Sequence, residues 1–202
     1  MAEATEYIGK NDLRSARTKE RIMQAAVECI YEGGLQSTST VDIAKRANVS
    51  RGAMLHHYPS RDQLLSATYE TLLAKEANKL RQAAENYRNG GLTVDEFIDQ
   101  LWKRFSVESF SITMDCFAAA RTDKSLRTSV KKARKVYDKA LADIWINYFS
   151  ESKCDKRELL AHLRLTVSLF RGMSMQRLVL EDQEAQDEMI ATWKRHVRAA
   201  LD

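Results

Sequence analysis

One proline and seven glycines punctuate a chain of 202 residues. Average usage would place roughly 10 prolines and roughly 14 glycines in that length. Sandwiches and barrels reverse direction about every 8–12 residues and draw on those residue types for their turns. A chain this poor in both is expected to be all-α, with long helices and few breaks.

Hydrophobic residues make up 44% and charged residues 30%, the balance of a globular chain rather than a disordered one. The length accommodates one large domain or two small ones and buries a core without staples. No apolar run approaches the roughly 18 residues that span a bilayer, and the opening MAEATEYIGKND has no apolar signal core. A cytoplasmic protein with no membrane partner is therefore expected. Cys29, Cys116 and Cys154 are odd in number and far apart, with no C-x-x-C pair. They read as reduced thiols, and neither a metal nor a cofactor is expected. The net charge of +4 is unevenly spread. Residues 10–61 hold nine Lys/Arg against five Asp/Glu, whereas 62–202 hold 23 against 21.

Local signals divide the chain into about nine helices. Leu13, Ile22, Ala26, Cys29 and Ile30 recur at helical spacing, and Gly33-Gly34 closes that first helix. Ser39 or Thr40 caps a short second helix carrying Val41, Ala44 and Ala47. Asn48 breaks it, being the non-glycine residue that best tolerates a left-handed backbone. Ser50 then caps a short helix over 51–57, and Pro59-Ser60 ends it. A long helix is predicted from about 61 to 88, stopped by Asn89-Gly90-Gly91. Thr93 and Glu96 fit a capping box, and further helices follow at about 94–107, 109–121, 125–149, 156–180 and 185–201.

The stretch TVDIAKRANVSRGAMLHHYPSRDQLL, residues 40–65, carries the sharpest signal. Two short helices meet at a three- to four-residue turn. Ala44 is small where they cross, Val49 plugs the turn, and Met54 and Tyr58 face inward. This is helix-turn-helix logic: the first helix and the plug hold the second steeply, so that its outer face can enter a major groove about 12 Å wide.

With those residues in view, the segment resembles the DNA-binding domain of the TetR family of bacterial transcriptional repressors. The matching positions are Thr40, Ile43-Ala44, Ala47, Val49-Ser50, Gly52, Met54, His57-Tyr58, Ser60-Arg61 and Leu64-Leu65. The lead-in RTKERIMQAAVECIYEGGLQSTS resembles the family's first helix. The resemblance implies a helix-turn-helix domain over 1–60 and a helical ligand-binding and dimerisation domain over 61–202. It also implies phosphate or bracing roles for Thr40, Leu55, His57 and Arg61, base-edge roles for Arg51, Gly52, Ala53 and His56, and a place for Ser50 among the DNA-binding residues. Leu55 stands where the family commonly has tyrosine, and Arg61 where it has lysine. The arginine keeps the charge and adds a forked donor at the start of a long helix, where backbone N–H groups favour phosphate. The basic residues Lys10, Arg14, Arg17, Lys19 and Arg21 form either a solvated face or the root of an arm onto DNA. His57 is expected to be a structural histidine, hydrogen-bonded beneath the turn.

The remaining 140 or so residues need another purpose. Helix 156–180 has apolar residues all round, so one side is expected to meet a second subunit. The expected dimer residues are Leu163, Val167, Met189, Trp193 and Val197. Large soft side chains fill the middle helices, and Trp102, Phe105, Phe110, Met114, Phe117, Trp145, His162, Phe170 and Met173 are the candidates for lining a small-molecule pocket. Asp115, Asn147 and Arg171 are polar candidates beside them. Basic positions between 127 and 135 form a solvated face or hold an anionic ligand. No G-x-S-x-G, Walker loop, H-E-x-x-H or G-x-G-x-x-G occurs, so no catalytic residue is expected. The expected partners are a pseudo-palindromic DNA operator, a second copy of the chain and a small effector. The alternative is an architectural DNA-associated protein without an effector.

Overall fold

The computed structural model describes residues 10–88, 93–105, 107–180 and 182–201. Every regular element among them is a helix: α1 (Lys10–Gly33), α2 (Thr40–Arg46), α3 (Arg51–His57), α4 (Arg61–Arg88), α5 (Val94–Lys103), α6 (Val107–Thr122), α7 (Lys124–Tyr148), α8 (Lys156–Gln176) and α9 (Gln183–Leu201). The all-α expectation is met, and helix ends fall within a few residues of the sequence signals. Gly34, at φ 78°, takes the left-handed conformation just past α1, and Asn48 does the same after α2 at φ 50°. The Thr93–Glu96 capping box forms as expected. The Asn89-Gly90-Gly91 break and any arm within residues 1–9 lie outside the described residues.

Two apolar cores form. The front one joins Ile22, Met23 and Ala26 of α1 to Ile43 and Ala44 of α2, Met54 of α3 and Leu64 of α4. The back one runs from Ile30 and Leu65 through Leu80, Phe97, Trp145 and Phe170 to Leu201. Leu64 and Leu65 thus point into different cores from adjacent positions in the first turn of α4. α4 packs along α7, and α7 is also covered by α6 and α8. The α9 helix closes on α5 and α8, with Lys194 paired to Asp99 at 2.6 Å.

α8 ends at Gln176 rather than at 180. Its last carbonyls are taken by tightened turns, with Leu178 N–H donating to Met175 O and Val179 N–H to Gln176 O. Arg177 lies over the Trp102 ring, and Leu178, Val179 and Leu180 are exposed. The helix is therefore not buried on every side. Leu159, Leu163, Val167, Phe170 and Met173 form its buried face.

Candidate functional site

The short front helices are set by their caps. Ser39 Oγ accepts from Asp42 N–H at 3.2 Å, so Thr40 is the first residue of α2 and not its cap. Ser50 Oγ accepts from Ala53 N–H at 3.1 Å. Met54, fully buried, anchors α3 from its inner side. The outer side then presents Arg51, Gly52 and His56 exposed, with Ala53 and Leu55 half-buried at its margin. Gly52 is informative. A Cβ built on it would meet nothing within 4 Å, so no contact inside the chain requires glycine there. Glycine in a helix costs roughly 1 kcal/mol relative to alanine. Its use is accounted for if something outside the chain approaches the backbone at that point.

Two arginines hold this unit. Arg21 of α1 donates through Nη2 to Ala47 O and to Asn48 O, the latter at 2.6 Å. It thereby clamps the turn between α2 and α3. Sequence alone placed Arg21 only among the basic lead-in, because nothing in its neighbourhood marks two carbonyls 26 and 27 positions away. Arg61 donates through Nε to Thr38 O at 3.2 Å and through Nη2 to Leu35 O. Of the phosphate and bracing roles expected for Arg61, this geometry fits bracing: its fork faces the α1–α2 turn. Thr38, buried, donates to Cys29 O and Gly34 O and completes that turn.

His57 is half-buried and has no hydrogen bond among the described residues, unlike the buttress expected from sequence. Its ring meets His56 edge-on, with centroids 5.4 Å apart. Burial, then the neighbouring His56 and Lys19, hold its pKa below the ordinary 6.5. No metal-binding cluster of His, Cys, Asp or Glu occurs among the described residues.

Behind the front helices, α4, α6, α7, α8 and the α5–α6 turn enclose a cavity of about 200 Å³. Of the aromatic and methionine candidates, Phe105, Phe110, Met114 and Phe117 line it, joined by Arg171. The other candidates do not. Trp145 is fully buried against Phe97 and Phe149, with ring centroids 6.1 and 4.7 Å away. Phe170 packs between Trp102 and Phe105, at 5.1 and 5.6 Å. Met173 belongs to the same core, and His162 lies on α8 away from the cavity. An amphipathic helix shows its sequence periodicity to both a core and a cavity, so periodicity could not separate these residues. Glu76 and Arg104 also line the cavity and were not anticipated, and Arg134 joins them from the basic run at 127–135. Asp115 faces away from it and accepts from Leu35 N–H at 2.8 Å. Asn147 lines a separate groove between α4 and α7.

The expected interface residues are mostly inside the chain. Leu163, Val167 and Val197 are buried in the single protomer, so they offer almost no area to a partner. Trp193 donates from Nε1 to Thr166 Oγ1 at 3.0 Å, and Met189 packs partly buried on the back core. On α8 the uncovered face is instead Ala161, Leu165, Ser168 and Gly172, with Leu165 56% exposed. At about 100° per residue, Leu163 and Leu165 point to opposite sides of the helix, which explains the difference.

Residues 22–68 match the family described as bacterial regulatory proteins, tetR family. The chain is 25% identical to the HTH-type transcriptional regulator CymR of Pseudomonas putida over 171 residues, covering 85% of this chain and 84% of that one. It is 24% identical to the uncharacterized HTH-type transcriptional regulator YvdT of Bacillus subtilis over 158 residues, covering 75% and 81%. Among solved structures, a Rhodococcus sp. protein assigned to the TetR family superposes with a TM-score of 0.70 at 17% identity, over 93% of this chain and all of that one. A Saccharomonospora viridis protein described as a transcriptional regulator, in complex with choline, gives 0.67 at 18% identity, over 91% and 96%. The front helices match the tetR family as a sequence unit, and the whole helical fold matches that of TetR-family structures in space, so residues 22–68 form a tetR-family DNA-binding unit within a chain of that fold.

Proposed function

We propose that the protein is a homodimeric repressor that leaves a pseudo-palindromic operator when a small effector fills the cavity behind its front helices. The observation carrying this reading is the hydrogen-bonded route between the two regions. α6 lines the cavity with Phe110, Met114 and Phe117, and from its other side Asp115 accepts from Leu35 N–H. The carbonyl of Leu35 in turn accepts from Arg61, which opens α4 beneath the helix-turn-helix. A displaced α6 therefore bears on the α1–α2 turn and on the start of α4 together.

In this reading residues 1–60 contact DNA, and 61–202 bind effector and partner. Arg51, Gly52, Ala53, Leu55 and His56 meet base edges, with Leu55 suited to a thymine methyl. Thr40, Ser50 and His57 lie at the phosphate margin. Phosphate contacts supply most of the affinity and its salt dependence. One head reads few base pairs, so two are needed about 34–36 Å apart. The face of α8 built from Ala161, Leu165, Ser168 and Gly172 suits the second copy: one exposed leucine among three small residues, at spacings of four, three and four, forms a helix-packing seam. A Cβ at Gly172 would meet nothing within 4 Å. The choline complex of the Saccharomonospora viridis protein supports a small-molecule role for this fold. The effector must prefer the non-binding state, typically by about 1–3 kcal/mol, and operator must weaken effector by the same factor. A duplex selected by the protein from a random pool tests the reading. One discrete pseudo-palindrome, bound by a dimer and released by a cavity ligand, is expected. Diffuse binding insensitive to every small molecule contradicts it.

A further inference from the structure

The charges around the cavity do not cancel. Its walls are mainly apolar, with Leu72 and Leu73 from α4, Phe110 and Phe117 from α6, and Met175 from α8 among them. Three guanidinium groups also line it: Arg104 from the α5–α6 turn, Arg134 from α7 and Arg171 from α8. Arg134 is paired with Asp138: its Nε donates to one carboxylate oxygen at 3.1 Å, and its Nη2 lies 2.6 Å from the other as an ion pair without a hydrogen bond of its own. Arg104 is matched loosely. Its Nε stands 3.6 Å from Glu76, beyond good hydrogen-bonding range, and is buried without a hydrogen-bond partner. Glu76 is shared with Lys79 at 2.9 Å. Arg171, half-buried, has no hydrogen bond or ion pair among the described residues. Among the lining residues three arginines face one carboxylate, Glu76, and Arg171 is the one of the three with no ion pair to a described residue, beside an apolar space.

A half-buried charge with no counter-ion is costly, and an anion inside the cavity relieves that cost. We infer that the effector is a small amphipathic monocarboxylate, its acid group held by Arg171 and Arg104 and its apolar body set among the phenylalanines. The inference rests on the effector role proposed above. One uncompensated charge suits one acid group. A forked guanidinium binds a carboxylate through two parallel N–H···O bonds. About 200 Å³ is less than the roughly 300–1,000 Å³ of sites for drug-sized ligands, so the body is a single ring or a short chain. A carboxylate drawing on Arg104 also competes with Glu76 for it. Glu76 lies on α4 and Arg104 precedes α6, so acid binding loosens a tie between the two helices that meet the α1–α2 turn.

The test uses full-length protein and matched pairs of equal shape, benzoate against benzamide and hexanoate against hexanamide. Thermal shift and calorimetry are read at millimolar ligand. At least one acid is expected to raise the melting temperature, with its amide inert. Arg171→Gln should bind that acid about tenfold more weakly, the loss of one charge-assisted pair. The ligand-free melting temperature should stay the same or rise, and sedimentation should match the wild type. Equal effects of acid and amide overturn the inference, as does the absence of any acid effect. So does an Arg171→Gln variant that binds acid normally, or one that changes oligomeric state, since Arg171 would then serve the interface. Release of the selected duplex is measured in parallel. Amides that release it while acids do not would sink the carboxylate and leave the repressor standing. Acids that bind without altering DNA occupancy would do the reverse.

Discussion

The backbone N–H of Leu35 donates to the carboxylate of Asp115 at 2.8 Å, joining the α1–α2 turn to α6 across 80 positions of chain. Asp115→Ala would leave that part-buried donor unsatisfied. The expected cost is about 1–3 kcal/mol in urea unfolding, with Asp115→Asn retaining most of it through its amide oxygen. If the Leu35–Asp115 bond also carries the effector response, Asp115→Ala should still bind the selected duplex but release it less completely on adding ligand. Full wild-type release would remove the bond from the proposed route.

Arg61 offers a sharp discrimination. Two of its donors are engaged by Leu35 O and Thr38 O. Arg61→Ala should therefore lose about 1.5–3 kcal/mol of stability, the range for hydrogen bonds to a charged group. It should weaken binding to all duplexes, yet leave the slope of log K against log salt near that of the wild type. A slope lower by about one would mean that Arg61 neutralises a phosphate after all.

Gly52 separates folding from binding. Space is open at its Cβ, so Gly52→Ala should stabilise the free protein by about 0.4–1 kcal/mol. The same methyl should weaken DNA binding if the α3 backbone lies against the duplex. Arg51→Ala should cost about 1–3 kcal/mol on the selected duplex and relax preference at one base pair. An equal loss on scrambled DNA would reassign Arg51 to phosphate.

The two sides of α8 predict different failures. Leu165→Asp, on the open face, should give folded monomers by sedimentation. Leu163→Asp, in the core, should instead unfold the chain, because a buried charge without a partner is strongly destabilising. A folded dimer from Leu165→Asp would move the interface elsewhere.

Titration gives a further check. His57 is held below its ordinary pKa, so the unfolded chain binds its proton more readily than the folded one. Its contribution is therefore intact above pH 6.5 and is lost as pH falls through that value toward the lower folded pKa. His57→Gln should flatten this part of the stability profile, and an unaltered profile would exclude His57 as its source. Cys116, whose thiol is pushed up to about 12 by burial, should resist a thiol reagent at pH 8 until the protein is unfolded.

Much of this protein was legible before any coordinates. Scarce proline and glycine implied helices. Ser39, Ser50 and Thr93 are side-chain caps that act on N–H groups three residues away, and Asn48 and Gly34 mark left-handed turns within their own residue. Such signals are local, so the order of residues carries them complete. The helix-turn-helix was visible for the same reason, its steric plan being contained in about 25 consecutive positions. Which aromatic residue is core and which is wall could not be read that way. Trp145 and Phe117 both sit at apolar helical positions, and only the crossing of α4, α6, α7 and α8 leaves space beside one and none beside the other. The partners of Arg21, Arg61 and Asp115 are backbone groups, and every residue has those. No side-chain pattern can announce them. Element type and ends follow from short-range sterics and capping written in the sequence, whereas cavity, braces and open faces follow from how long helices cross, which is settled only when the whole chain packs.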